Sequence, residues 1–154
     1  MIFAVDPGNT YSAYVVLDEH LKPVQFGKVE NCELLGIIDN SGQYENFVIE
    51  MIASYGMAVG AEVFDTCIWI GRFLEAAKEA GFHTLNRVYR KDEKMNLCGT
   101  MKAKDANIRQ ALIDRFGVVG TKKEPGWFYG FKSDIWAAYA VGVTYYDTHN
   151  TSPK

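Results

Sequence analysis

At 154 residues the chain has room for one domain with a sizeable apolar core. Its 48% hydrophobic and 23% charged residues are the balance of a soluble globular protein and exclude the fibrous and disordered classes. The 16 Lys and Arg against 19 Asp and Glu give a formal net charge of -3, which argues against a general nucleic-acid coat protein while allowing a local basic surface beside an acidic site.

In chain order, residues 2–5 and 12–17 are rich in Val, Ile, Phe and Tyr, and Pro7-Gly8-Asn9 supplies the turn of a hairpin with Asp6 at its mouth. A third strand is expected around 24–30 and a short helix near 33–39. Phe47-Val48-Ile49 reads as an internal strand that, like the first, delivers an acid at its end, here Glu50. Apolar residues at helical spacing predict a helix over 61–80 stopped by Gly81, followed by a strand over 83–88. Residues 90–104, with five basic side chains and few apolar anchors, read as a basic loop leading into a helix over 105–116. An irregular connection precedes an almost wholly apolar helix, 135–146. This order predicts an α/β fold with a mixed five-stranded sheet and helices packed on it, one domain over 1–149 and a loose tail at 150–154.

Cys32, Cys67 and Cys98 form no Cys-x-x-Cys pair and read as reduced thiols. The chain opens without a basic-then-apolar signal segment, and no apolar run reaches the ~18 residues of a membrane span. A cytoplasmic protein with no membrane partner is expected.

Asp6, Glu50 and Asp134 are the candidate catalytic and metal-holding constellation. The first two end apolar strands, and adjacent strands lie about 5 Å apart. The third opens an apolar helix that can pack across the sheet. Three converging carboxylates repel one another unless cations intervene, and hard oxygen ligands favour magnesium or manganese. Two such ions about 4 Å apart can activate water and stabilise the leaving oxygen in phosphodiester hydrolysis. Each acid also has an ordinary alternative: Asp6 as a turn residue, Glu50 in an ion pair at a sheet edge, Asp134 with Ser133 as a helix cap.

Lys91, Lys94, Lys102, Lys104 and Arg109 form the densest positive stretch, suited to guiding a phosphate backbone or to lining a plain solvated face. Trp127, Phe128 and Tyr129, flanked by glycines, are candidates for stacking on exposed bases, with docking against the domain the alternative.

AVDPGNT at 4–10, FVIE at 47–50 and SDIWAAYAV at 133–141 resemble the acidic motifs of the RuvC-like Holliday-junction resolvases, within the ribonuclease H-like superfamily. The stretch VYRKDEKMNLCGTMKAKDANIRQALIDRFG at 88–117 resembles the basic segment of the same family, phage and prophage members above all. The resemblance implies a ribonuclease H-like fold and a magnesium-dependent endodeoxyribonuclease with two ions per site, manganese substituting. It implies a homodimer, joined within 59–80, that nicks a four-way junction symmetrically to leave a 5'-phosphate and a 3'-hydroxyl. Asp6, Glu50 and Asp134 then match the metal-binding acids, and Lys94 a basic residue that approaches the DNA backbone; Lys104 falls beside another. It also implies a bacterial or phage-infected cytoplasm.

One position departs from the family pattern. Where a further Asp or His is usual, three residues before the last acid, this chain has Phe131, and Asp105 and Asp147 are the candidates to compensate. Two alternatives therefore stand beside the resolvase: a related nuclease acting on flaps, forks or RNA–DNA hybrids, and a non-catalytic protein that binds branched DNA. An actin-like phosphotransferase would need two lobes, for which the chain is too short.

Overall fold

In the computed structural model, which describes residues 1–149, the chain begins with an antiparallel meander of β1 (Ile2–Asp6), β2 (Tyr11–Leu17) and β3 (Pro23–Glu30). Then follow α1 (Asn31–Asp39), β4 (Asn46–Met51), α2 (Ala61–Ala80), β5 (Thr84–Tyr89), α3 (Arg90–Cys98), α4 (Asp105–Phe116) and α5 (Ile135–His149). The strands form one sheet in the order β3-β2-β1-β4-β5, with β1, β4 and β5 mutually parallel. The expected mixed five-stranded sheet is present. The predicted tail, 150–154, lies outside the described residues.

Side chains alternate across a strand, so each strand feeds two cores. Phe3, Val5, Tyr14, Val16, Phe47 and Ile49 pack with Leu34 and Ile38 of α1 and Ile70, Phe73 and Ala77 of α2. Ile2, Ala4, Val15, Leu17, Val48 and Val88 face the other way, onto α4 and α5. The near-continuous apolar sequence of α5 follows from its burial, which extends from Ile135 through Tyr145 on most sides. It lies close against the sheet because position 142 is glycine. A Cβ there would stand 2.7 Å from Leu17 Cδ1 and 3.1 Å from Ala4 Cβ.

Residues 90–98 correct the expectation of a basic loop over 90–104: they are the helix α3. Asp92 accepts the backbone N–H of Tyr89 at its start, and Asn96 donates to Asp147 of α5 at 2.7 Å. Few apolar residues anchor this helix, because the residue it buries most deeply is a charged one, Glu93. The last helix also runs three residues further than the apolar pattern indicates, to His149.

Candidate metal and nucleic-acid site

Alternation along β1 places Asp6 on the same face as Ile2 and Ala4, and alternation along β4 places Glu50 with Val48. The strands are parallel neighbours, paired as far as Val5 with Ile49, so the two acids emerge side by side at their C-terminal ends. The turn after Asp6 is held by other groups. Ser12 Oγ accepts from Gly8 N at 3.0 Å and donates to Asn31 Oδ1 at 2.6 Å, while Asn31 Nδ2 donates to Gly8 O at 2.9 Å. Asp6 is thereby released from the turn role. Glu50 is not at a sheet edge, since β4 lies between β1 and β5, and its Oε2 is buried without a hydrogen-bond partner. Burial first, then the charges of Glu50 and Asp134, push the Asp6 carboxyl up to about 8, against the opposing pull of Arg90 and Lys28.

A fourth carboxylate, overlooked in the sequence, stands beside them. Glu93 in the first turns of α3 is fully buried. Its Oε1 accepts from Arg90 Nη1 at 3.2 Å, and its Oε2 has no partner. Desolvation raises its carboxyl well above the usual range, and a hydrogen bond to Glu50 when protonated adds to this. A signal was available. Glu93 lies just after β5, and Val88 of β5 pairs with Glu50; ends of parallel strands are where sites gather. It was masked by the basic residues around it.

Asp134 immediately precedes α5 and is half exposed. Its Oδ2 accepts from Lys28 Nζ of β3 at 2.7 Å, and this contact raises the Lys28 ammonium. The acids are therefore flanked by two cations, Lys28 and Arg90. Among the described residues, no three Asp, Glu, His or Cys side chains are already gathered tightly around a point where an ion could sit. The donors nevertheless suit a hard divalent cation: all are carboxylate oxygens, and two of them are buried and unpaired. Beside Asp134 a cavity of about 170 Å³ is lined by Arg90, Asp105, Arg109, Ser133 and Trp136, among others. The Arg109 guanidinium lies over the Trp136 ring, 5.3 Å from its centre.

Lys91, Lys102 and Lys104 are exposed and Lys94 is half-buried, on α3 and the turn joining it to α4. Arg109 alone of the predicted basic residues lines the cavity beside Asp134. Two of the three candidate stacking residues are corrected. Phe128 is wholly buried, ringed by Phe116, Phe131, Trp136 and Tyr139. Trp127 stacks on Phe116 and donates to the Tyr139 hydroxyl at 3.2 Å. Their glycine-flanked segment docks on the core because its aromatic surface gains more from burial than from exposure; only Tyr129 is exposed, at 40%. Phe131 packs against Phe26, Phe128 and Trp136 in the same cluster. Both suggested substitutes for the missing acid are engaged in ion pairs. Asp105 is paired with Arg90; for Asp147 burial pushes the carboxyl up, but Arg115 at 2.7 and 2.9 Å and Asn96 together outweigh it and lower it.

Two solved structures share this architecture over nearly the whole chain. One is a Thermus thermophilus RuvC structure, with a TM-score of 0.64, 20% identity, and coverage of 97% of this chain and 96% of that one. Another is T. thermophilus RuvC in complex with Holliday junction substrate, with a TM-score of 0.68, 18% identity and the same coverage. The likeness establishes the ribonuclease H-like fold in the form RuvC has it. No protein-family model matches the chain, and no curated protein sequence matches it.

Proposed function

We propose that the protein is a metal-dependent endonuclease that acts on branched DNA, with four-way junctions as its preferred substrate, and works as a homodimer. The observation that carries this reading is the group of carboxylates at the C-terminal ends of β1 and β4, on a fold it shares with a junction-bound RuvC. Asp6, Glu50 and Asp134 would hold magnesium or manganese, two ions being the expected number. When bound, such ions polarise the phosphate and lower the pKa of water, which is the chemistry hydrolysis of a phosphodiester needs.

The chain's own side chains supply the rest. Arg109, at the cavity next to Asp134, is positioned to take a phosphate group, its guanidinium plane fixed over Trp136. Lys91, Lys94, Lys102 and Lys104 extend the positive surface along α3 and toward α4, and would hold the backbone without reading sequence. The homodimer is supported by Phe64 and Ile68, one turn apart on α2 and 60% and 62% exposed, beside the exposed Tyr55 and Met57. A two-fold axis through that surface would present two sites to opposing strands. A nuclease of this kind would work in the cytoplasm of a bacterial or phage-infected cell.

A second reading is favoured by the Lys28–Asp134 ion pair, which already satisfies one of the acids. It is a protein that binds branched DNA without cutting it.

The two are separated by comparing wild type and Asp6→Asn on a labelled four-way junction and a matched linear duplex, with magnesium and then manganese. Paired nicks on the junction, reduced roughly a thousandfold in the variant by loss of about 4 kcal/mol of transition-state stabilisation, are expected. Equal cutting of both substrates would keep the nuclease but remove the junction preference, leaving flaps, forks and hybrids to be compared. Tight junction binding with no cutting would establish the second reading.

A further inference from the structure

We propose that Glu93 is the fourth ligand of the divalent-cation site, supplied by α3, an element that carries none of the three acids described first. The inference rests on the metal-dependent reading above and assigns a residue to it. The segment leading into α5 contributes one carboxylate, Asp134, and turns Phe131 into the aromatic cluster. The start of α3 borders the same place, since Arg90 lines the cavity beside Asp134. There Glu93 has no solvent exposure.

A purely structural role would pair both of its oxygens, and in the ionised carboxylate only one is paired. Arg90 Nη1 reaches Oε1 and Nη2 goes to Asp105, and no hydrogen bond from this guanidinium reaches Oε2. The unpartnered Oε2 is matched by an equally buried and unpartnered Oε2 on Glu50. Glu50 is aligned with Val88 across β4 and β5, five residues before Glu93. Buried polar atoms are ordinarily satisfied, and a glutamine here would supply its own donor to the neighbouring carboxylate. Two buried carboxylates with unpaired oxygens are what a cation requires and what a packed core avoids. Arg90 then acts as a positioning residue: by holding Oε1 it leaves Oε2 as the free end.

The test is manganese binding by the full-length protein, read from the paramagnetic resonance signal of free Mn²⁺ and from the rise in thermal midpoint on adding the ion. Glu93→Gln keeps the shape and removes the charge. It is expected to stay folded by circular dichroism, to bind Mn²⁺ at least tenfold more weakly, and to lose most of the metal-induced rise. Binding within twofold of wild type would overturn the assignment and leave the nuclease reading standing. Absence of Mn²⁺ binding by wild type itself would overturn both, and junction cleavage assayed separately distinguishes that case. Should the glutamine variant not fold, Glu93→Asp makes the same comparison by withdrawing the carboxylate one methylene. Weakened binding supports the assignment, and wild-type affinity overturns it.

Discussion

The two faces of the sheet are built from alternate residues of the same strands, yet they are packed to different ends. Against α1 and α2 the rows are large and apolar: Phe3 stacks on Tyr14 and Phe47 at 5.4 and 5.8 Å, and Phe82 closes on both phenylalanines edge-on. Against α5 the β1 row runs Ile2, Ala4, Asp6. A small residue admits the helix at Gly142, and the row then ends in a carboxylate. One face fills its strand rows with aromatic rings. The other, which has a large core of its own around α5, takes smaller strand residues and brings the N-terminal end of α5 and the start of α3 to the strand ends that carry Asp6 and Glu50. The strand aromatics and the site are thus separated by a single-residue alternation.

Emptying the apolar face should give the largest effect on stability. Phe47→Ala is expected to destabilise the protein by about 3–5 kcal/mol, because it removes a fully buried ring that Phe3 stacks on and Phe82 meets edge-on, with little room to collapse. Cleavage per folded molecule should hold at temperatures where the variant is native. Calorimetry and a junction assay on the same sample would check both, and a catalytic loss without a thermal one would break the separation of the faces.

The acidic face should respond in the opposite sense. With Asp6 raised to about 8 when folded, against 3.8 when unfolded, the native state binds the extra proton between those values. Metal-free stability must therefore fall as pH rises from about 4 to about 8. Glu93, raised for the same first reason, adds in the same direction. Denaturant midpoints in chelator across that range would show the slope, and Asp6→Asn should flatten it, gaining about 1–3 kcal/mol at the alkaline end. A rising slope would mean that the acids are stabilised by partners and not held in mutual repulsion. Protons also compete with metal, so apparent Mn²⁺ affinity should increase over the same interval.

The smallest effect is expected at the half-exposed Lys28–Asp134 pair. Lys28→Met should change stability by no more than about 0.5 kcal/mol. It should raise Mn²⁺ affinity by roughly two- to threefold as Asp134 is freed from a competing cation. Weaker binding would instead identify Lys28 as a group that orients Asp134 for the ion.

Much of the molecule was legible because it depends on period and punctuation. Apolar runs ended by acids identified β1 and β4, and helical spacing up to Gly81 marked α2, where that glycine takes the left-handed conformation at φ 102°. The segment 90–98 was misread for a definite reason. Its helix is fixed by the Arg90–Glu93 contact and by contacts to α5, and neither leaves an apolar stripe. The aromatic run at 127–129 was ambiguous because glycine-flanked rings suit a docked loop and a stacking surface equally well in one dimension.

The sequence by itself determined that Asp6 and Glu50 each end an apolar strand, since a short apolar run closed by an acid is visible in one dimension. That these strands are parallel neighbours, which sets the two acids side by side, belongs to the tertiary structure. Only the tertiary structure decided which groups face them. Lys28 reaches Asp134 across 106 residues of chain, and Glu93 arrives through the crossover from β5 into α3. Such partnerships depend on where whole elements dock, and local periodicity carries no record of docking.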